Sequence, residues 1–493
     1  MKFLLLAALH FNIASLIISE YVCQPNVVIS NSSPSIEKYA LRGCKTLVSL
    51  TISNGVTSIG DDAFGDCTSL TSVVIPDSVT SMGLWTFRGC SSLKSIILSS
   101  SLTSIGAWGF LGCTSLASII IPSSVTAIGE CAFDKCTSLT SVNIPDTVTS
   151  IGDNAFSLSA ITSLNIPPSV ASIGVGAFAG NPKLKSVTIP NGVAHLGEFA
   201  FEGCTGLTSV ILPESLNAIH QGLFYGCTGL SSVVIPTTIT IIEHSAFQGC
   251  SALSSLDIPD SVVTLGGSVF YGCSSLTSLI IPRSVTSFRG GAFADCVGLR
   301  SITIPSTIST IANGAFHGCT GLTEVILESG ITTIEFGAFH GCSSLTSLII
   351  PDTVTAIGDH AFAECSQLTF VSLPCGAITT KAFQDVPLAC VEPACPATEL
   401  PACDDVEFLA WRERQQQLHQ DGEAPEEQYD EEPEEQYGEE RLDEEEHDEY
   451  QHQQHEFDEE DQLDNHEERH HNEQQQQVAE DNNNEDAGFR NEL

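Results

Sequence analysis

One short motif near the C-terminus has the spacing of a catalytic metal site. His466, Glu467 and His470 form an H-E-x-x-H pattern, which in zinc peptidases places two imidazoles and a general base on one face of a helix. That activity also needs a packed helix, a third ligand and a substrate cleft. This copy lies in a Glu-, Gln-, His- and Asn-rich segment that holds seven of the 14 histidines. A zinc metallopeptidase is therefore only a remote alternative, and His466 and His470 are expected to bind metal loosely at most.

The 19 cysteines could also do chemistry, because thiolates bind metals and form disulfides. Cys375, Cys390, Cys395 and Cys403 form a cluster that is typical of a disulfide-bonded C-terminal cap. Thirteen others recur at one fixed position of a repeat, where parallel side chains are poorly placed to bridge, so we expect buried free thiols. They are Cys44, Cys67, Cys90, Cys113, Cys136, Cys204, Cys227, Cys250, Cys273, Cys296, Cys319, Cys342 and Cys365.

Negative charge is concentrated at the C-terminal end of the chain. Residues 404–493 hold 35 acidic and five basic residues, a net charge of −30, whereas residues 1–403 have a net charge of −13. This composition predicts a disordered tail. Its dense carboxylates suit weak, high-capacity binding of calcium, although no EF-hand loop is present. The acidic balance argues against binding to nucleic acid or to anionic lipid.

Both ends of the chain carry segments that resemble targeting signals. Residues 1–19 have the pattern of a secretory signal peptide, with a signal anchor as the alternative, and no later apolar run is long enough to span a membrane. Arg490, Asn491, Glu492 and Leu493 resemble the K-D-E-L class of endoplasmic-reticulum retrieval signals. Asn31 begins the one N-glycosylation sequon.

The phenylalanines show how the body of the chain is organised. They recur every 23 residues, with a single step of 22 between Phe156 and Phe178. A unit of this size cannot bury its own apolar side chains, so successive units must stack. The recurring positions are Phe64, Phe87, Phe110, Phe133, Phe156, Phe178, Phe201, Phe224, Phe247, Phe270, Phe293, Phe316, Phe339 and Phe362.

Each unit contains two short extended segments and one tight turn. In residues 70–92 the apolar alternation around Val73 and Ile75 predicts a short strand, and Pro76 ends it because proline cannot donate to a sheet ladder. A second, shorter extended segment follows. The recurrent A-F-x-G-C is typical of one helical or 3₁₀ turn with its Phe inside. The sequence therefore predicts a β-rich repeat solenoid.

The full pattern L-x-S-V-x-I-P-x-S-V-T-x-I-G-x-x-A-F-x-G-C resembles the BspA-like, or Treponema pallidum-type, leucine-rich repeat over about residues 40–373. The resemblance implies a largely extracellular adhesion or protein-binding scaffold without catalytic activity. The departures are local: one residue and a Cys are lost at 159–161, Asn181 replaces the next Cys, and Glu328 replaces a strand-ending Pro. The expected organisation is a cap at 20–43, a solenoid at 44–373, a Cys-rich cap at 374–403 and the tail.

The concave face of the expected solenoid is the candidate binding surface. If Leu70, Val73 and Ile75 point inward, the residues between them point outward. The resulting neutral, partly apolar strip could take a protein or a glycan, although β-branched residues are also simply good strand formers. The selected residues are Ser72, Val74, Ser95, Ile97, Ser118, Ile120, Asn143 and Asn165.

These features together predict a non-enzymatic binding scaffold of the secretory pathway with a cation-binding tail and no cofactor other than weakly bound calcium. The C-terminal tetrapeptide favours the lumen of the endoplasmic reticulum. The alternative is a secreted or cell-surface adhesin or wall protein.

Overall fold

A computed structural model describes residues 23–30, 33–374 and 381–388, together with the backbone of 390–392. In this part of the chain every repeat forms one coil of a parallel β-solenoid, and the strands pair in parallel with an equivalent strand of an adjacent coil, in nine separate sheets. The predicted β-rich repeat solenoid with short strands is confirmed. The described residues contain no helix.

Each coil contributes strands to two sets. The first set has strands of three or four residues: β1 Asn26–Ile29, β3 Ser49–Ile52, β5 Ser72–Val74, β7 Ser95–Ile97, β9 Ser118–Ile120, β11 Ser141–Asn143, β14 Ser186–Thr188, β16 Ser209–Ile211, β18 Ser232–Val234, β22 Ser301–Ile304, β24 Glu324–Leu327, β26 Ser347–Ile349, β28 Phe370–Ser372 and β29 Cys390–Glu392. The second set has two residues each: β2 Ser35–Ile36, β4 Ser58–Ile59, β6 Ser81–Met82, β8 Ser104–Ile105, β10 Ala127–Ile128, β12 Ser150–Ile151, β13 Ser172–Ile173, β15 His195–Leu196, β17 Ala218–Ile219, β19 Ile241–Ile242, β20 Thr264–Leu265, β21 Ser287–Phe288, β23 Thr310–Ile311, β25 Thr333–Ile334 and β27 Ala356–Ile357.

The register between coils equals the sequence period. Ser72 pairs with Ser95 in the first set, and Ser150 pairs with Ser172 where the period shortens to 22. The outer side of the first strand set is called the strand face below, and it is the surface that the sequence predicts to be concave. No strand of this set is assigned at 163–165, 255–257 or 278–280, although the chain continues through these coils.

The alternation of apolar residues explains the short strands. Leu70, Val73 and Ile75 are each at most 3% exposed, while Ser72 and Val74 point to solvent. Pro76 follows at once, and a proline nitrogen cannot continue the ladder. The inward residues of all coils join one continuous apolar core.

The segment around each phenylalanine differs from the expected helical turn. Asp62 and Asp66 have left-handed backbones, with φ of 53° and 58°, which interrupts any helical succession. The amide of Gly65 donates to the Asp62 carbonyl within its own coil, whereas the amide of Phe64 donates to the Thr86 carbonyl of the next coil. Alternate amides are therefore used between coils, and the segment is a run of hydrogen-bonded turns.

Stacked phenylalanine rings form the centre of the core. From Phe64 to Phe383 neighbouring ring centroids lie 5.0–6.2 Å apart, and the ring planes are within 24° of parallel. Such ring pairs are worth about 0.5–1.5 kcal/mol beyond the burial of their area. Because each ring contacts the coils before and after it, stability is transmitted from neighbour to neighbour.

Truncating one ring in the middle of the stack should be costly. Phe224 is fully buried, so Phe224→Ala should lower the free energy of unfolding by about 3–5 kcal/mol, the usual cost of a large core truncation. Guanidinium denaturation of the full chain measures the change. Ile280→Ala is the matched control, because Ile280 is 84% exposed, and equal losses in the two variants would contradict the stacked core.

Candidate ligand-binding face

A row of exposed β-branched side chains runs along the strand face. Val74, Ile97 and Ile120 are 55%, 63% and 76% exposed, and Ile211 and Val234 are 55% and 66% exposed. An exposed, contiguous apolar row of this kind is typical of an interaction site. All eight residues selected from the sequence lie on this face and are exposed, namely Ser72, Val74, Ser95, Ile97, Ser118, Ile120, Asn143 and Asn165. Their binding role stays a prediction.

Two rows of hydroxyl groups accompany the apolar row, and they differ in their availability. Threonines at the start of each strand donate to the carbonyl of the preceding coil, as Thr71 does to Val48 at 3.2 Å and Thr208 does to Lys185 at 3.0 Å. The hydroxyl of Ser72, by contrast, makes no hydrogen bond within the described residues. The threonine row thus holds neighbouring coils together, while the serine row can bond to a ligand.

The strand face is almost neutral in a strongly acidic protein. Its exposed charged residues between 71 and 373 are Lys94, Lys185, Arg300, Asp257 and Glu324. Three cations and two anions spread over fourteen coils create no strong field, so this face does not select a ligand by net charge. The physical basis for binding here is apolar contact combined with hydroxyl hydrogen bonding.

The apolar row is interrupted in the middle by polar residues. Asn143, Asn165 and Thr188 replace the β-branched hydrocarbons in three successive coils. The coil of Asn165 is also the one in which the period is 22 residues and no strand of the first set is assigned. Between Val74 and Val234 the face therefore has two apolar patches separated by a polar centre.

The thiols of the repeat cysteines form hydrogen bonds between neighbouring coils and do not form a reactive site. Cys90 donates to the Phe64 carbonyl and Cys113 to the Phe87 carbonyl, each at 3.2 Å. The separation of 26 residues shows that each thiol bonds to the preceding coil. Twelve of the thirteen predicted free thiols are buried and unoxidised in this arrangement: Cys67, Cys90, Cys113, Cys136, Cys204, Cys227, Cys250, Cys273, Cys296, Cys319, Cys342 and Cys365.

Burial suppresses the acidity of these thiols. Desolvation raises the pKa of Cys136, Cys204 and Cys273 to about 12, and it raises the pKa of Cys113 well above its ordinary value. A thiolate is the nucleophilic form, so the ladder cannot act as a nucleophile at neutral pH while the coils are closed.

Two non-cysteine residues preserve the ladder where the repeat departs from its pattern. Ser159 donates through its hydroxyl to the Phe133 carbonyl at 3.2 Å. Asn181 donates through Nδ2 to the Phe156 and Phe178 carbonyls at 2.9 and 2.8 Å, and its Oδ1 accepts from the Ile161 amide. The missing residue near 159–161 is thus bridged by the fully buried Asn181 amide. The sequence shows both replacements, but the shared acceptor could not be read from it.

The thirteenth repeat cysteine is not a free thiol, contrary to the expectation from the sequence. Cys44 forms a disulfide with Cys23, where the sequence predicts a free buried thiol at position 44. Cys23 lies before the periodic region and gives no spacing signal, so only the fold brings the two residues together. The other disulfide candidates, Cys375, Cys395 and Cys403, lie outside the described residues, as does the side chain of Cys390.

The segment around the phenylalanines also carries stacked aromatic pairs next to the Phe positions. Trp85 and Trp108 stack with their ring centroids 5.0 Å apart, and both have left-handed backbones, with φ of 57° and 55°. Stacking offsets part of the backbone strain. His317 and His340 also stack, at 4.9 Å, and burial lowers the pKa of both imidazoles.

The described residues contain no cluster of three or more metal-binding side chains. They also contain no helix long and apolar enough to cross a bilayer. The candidate residues His466 and His470, the sequon residue Asn31, the 1–19 segment, the acidic tail and the final Arg490, Asn491, Glu492 and Leu493 all lie outside the described part of the chain.

The chain belongs to the family described as the BspA type leucine-rich repeat region, whose model matches residues 20–133, 109–228, 172–300 and 289–400. Members of this family are generally not enzymes, and they are often secreted or exposed at the cell surface. No curated protein shows a significant match to the chain.

Several solved structures are similar to this chain. A leucine-rich repeat protein from Bacteroides ovatus is 31% identical, with a TM-score of 0.53, and the match covers 64% of this chain and 84% of that one. A leucine rich cell surface protein from Faecalibacterium prausnitzii is 28% identical over 62% of this chain and 88% of that one, with a TM-score of 0.43. The Treponema pallidum leucine-rich repeat protein is 26% identical over 46% and 82%, with a TM-score of 0.24.

The twelve buried repeat cysteines should not react with alkylating reagents in the native protein. With a thiol pKa of about 12 for Cys136, the thiolate fraction at pH 8 is about 10⁻⁴. Iodoacetamide labelling mapped by mass spectrometry should leave all twelve unlabelled until guanidinium opens the coils. Cys131, which is only half-buried, provides the internal comparison, and Cys131→Ser should remove its signal. Native labelling of Cys136 at the rate of Cys131 would contradict the proposed protection.

Proposed function

We propose that this protein is a non-enzymatic binding scaffold of the secretory pathway, which takes a protein or a glycan on its strand face and holds calcium weakly in its acidic tail. The observation that carries the proposal is the row of exposed β-branched residues at Val74, Ile97 and Ile120, each more than half exposed and accompanied by exposed serines.

Two observations support a secretory location. The Cys23–Cys44 disulfide is typical of an oxidising compartment, and the N-terminal segment at 1–19 has the composition of a signal peptide. The tetrapeptide at 490–493 favours retention in the endoplasmic reticulum. The second candidate location is the cell surface or the medium. It is favoured because members of this family are often secreted or exposed at the cell surface. In that case the same face acts as an adhesin or wall-protein surface.

The binding face can be tested by site-specific crosslinking in the cells that naturally make the protein. A photo-reactive residue at Ile97 should give a discrete adduct, because Ile97 lies in the exposed row. Ile120→Lys should abolish that adduct, since a charge would then occupy the apolar contact. The mass of the adduct and its sensitivity to glycosidases distinguish a protein partner from a glycan.

The matched control uses the second strand set, which faces another side of the coil. The photo-reactive residue is placed at Ser104 and the charge at Thr103, and both positions are exposed. Thr103→Lys should leave the adduct from Ile97 unchanged, and Ser104 should give none. Equal adducts from both faces, or none from Ile97, would remove the strand face as the binding surface.

The tail should bind calcium with many weak sites per chain, because its carboxylates are dense but not arranged in a cage. Calorimetry should show binding to the full chain that weakens with salt, since exposed charges are screened over about 8 Å at physiological ionic strength. A chain ending at Cys403 should lose it. One tight stoichiometric site would refute the tail hypothesis, and zinc-dependent peptidase activity abolished by Glu467→Gln would establish the remote alternative.

The location can be decided by extending the C-terminus. A retrieval signal must be terminal and exposed, whereas two residues added after Leu493 leave the charge and the fold almost unchanged. If the tetrapeptide is read by a receptor, the extended chain should leave the cell while the wild type stays inside. Equal secretion of both would favour the surface-scaffold alternative.

A further inference from the structure

The third outward residue of seven successive coils on the strand face runs apolar, apolar, polar, polar, polar, apolar, apolar, an order of residue classes that is the same in both directions. Each coil presents three outward residues, which we call a row. The seven rows are Lys94, Ser95 and Ile97; Ala117, Ser118 and Ile120; Thr140, Ser141 and Asn143; Thr162, Ser163 and Asn165; Lys185, Ser186 and Thr188; Thr208, Ser209 and Ile211; and Ser231, Ser232 and Val234. The centre of the pattern is the row of Asn165.

We propose that a second copy of this chain binds this seven-row surface, face to face and antiparallel, about a two-fold axis that passes through the row of Asn165. The inference rests on the proposed use of the strand face as a binding surface, and it names the partner. A two-fold interface must be self-complementary, because the same patch is used by both copies. The third positions of the seven rows meet that requirement by residue class, and the middle positions meet it because each of them is serine.

The antiparallel arrangement matches the apolar residues with one another. Ile120 meets Ile211 of the second copy, and Ile97 meets Val234, so four exposed hydrocarbon side chains per copy are covered. Asn143 meets Thr188, and Asn165 meets itself, which pairs hydrogen-bonding groups with each other. The serine at the middle position of each of the seven rows meets the serine of the facing row. No position places an apolar side chain on a charged one within the seven rows.

Charge and periodicity also favour a second copy over an unrelated occupant. Lys94 meets Ser231 and Lys185 meets Thr140, so no two like charges face each other. Sheets that pack face to face keep their strands within about 30° of each other, and two copies of one solenoid necessarily share the same axial repeat. Every row therefore meets a row. A parallel arrangement would instead place Asp257 against Asp257.

The size of the matched surface sets the expected strength. Seven rows at about 4.8 Å give a contact about 30 Å long, and four residues at about 3.3 Å make it about 13 Å wide. The resulting patch of about 400 Å² per copy is below the roughly 800 Å² per partner of a standard interface. We therefore expect a reversible dimer with a dissociation constant in the micromolar range. Because each chain has a net charge of −43, long-range repulsion opposes association, and added salt should tighten the dimer by screening it.

Sedimentation of the full chain from about 1 to about 200 µM, a range centred on micromolar affinity, tests the proposal. The wild type should shift from monomer to dimer, and the shift should occur at lower protein concentration in about 0.5 M salt than in about 0.15 M salt. Ile120→Glu and Ile211→Lys should each abolish dimerisation, because each buries an unpaired charge against a hydrocarbon. Ile280→Glu is the matched control. Ile280 is exposed at the equivalent position of a coil outside the seven, and this variant should dimerise normally.

Mixing the two variants provides the decisive measurement. Equimolar Ile120→Glu and Ile211→Lys chains should form a heterodimer, since the antiparallel arrangement brings the new carboxylate onto the new ammonium and leaves the second Ile120–Ile211 contact intact. A wild type that is monomeric up to the highest concentration would overturn the proposal, as would variants that still dimerise or a mixture that stays monomeric. A foreign adduct at Ile97 that persists with a monomeric chain would refute only the self-association, not the proposed binding function.

Discussion

The phenylalanine of each coil joins its neighbours in two ways at once, and the rest of the structure depends on this. Its ring stacks on the rings before and after it, while its carbonyl accepts the thiol proton of the cysteine 26 residues later. Stacking alone would leave the coils free to slip or rotate about the axis. The thiol bond is directional and buried, so it fixes the rotation at which the next coil is added. The uniform register of the strands follows from this double attachment.

Much of this architecture could be predicted from the sequence because the period is so regular. The spacing of Phe64, Phe87 and Phe110 defines the coil, and the alternation around Val73 defines which side chains are inside. The conformation of the turn segment could not be predicted, because the left-handed residues Asp62 and Asp66 arise from hydrogen bonds to the next coil. A local pattern contains no information about a partner that is 22 residues away.

The same limit applies to the residues that replace the ladder cysteines. Ser159 and Asn181 appear in the sequence as losses of the pattern, yet both donate to the carbonyl that a cysteine thiol would have used. The strand face shows the opposite case. Its outward residues follow directly from the period-two alternation, and their placement could be deduced before the fold was known, whereas what they contact depends on a molecule outside the chain.

The thiol bonds all point toward the N-terminus, and this polarity makes the two ends of the array chemically unequal. A coil inserted anywhere in the middle finds an acceptor carbonyl beneath its cysteine. Within the described residues the first coil begins at β1, and no phenylalanine precedes Cys44, the first cysteine of the series, to accept its thiol proton. That cysteine is the one bound to Cys23. A chain that grows by duplicating coils can therefore lengthen at any interior point, and in the first described coil the Cys23–Cys44 disulfide stands where later coils have a thiol hydrogen bond.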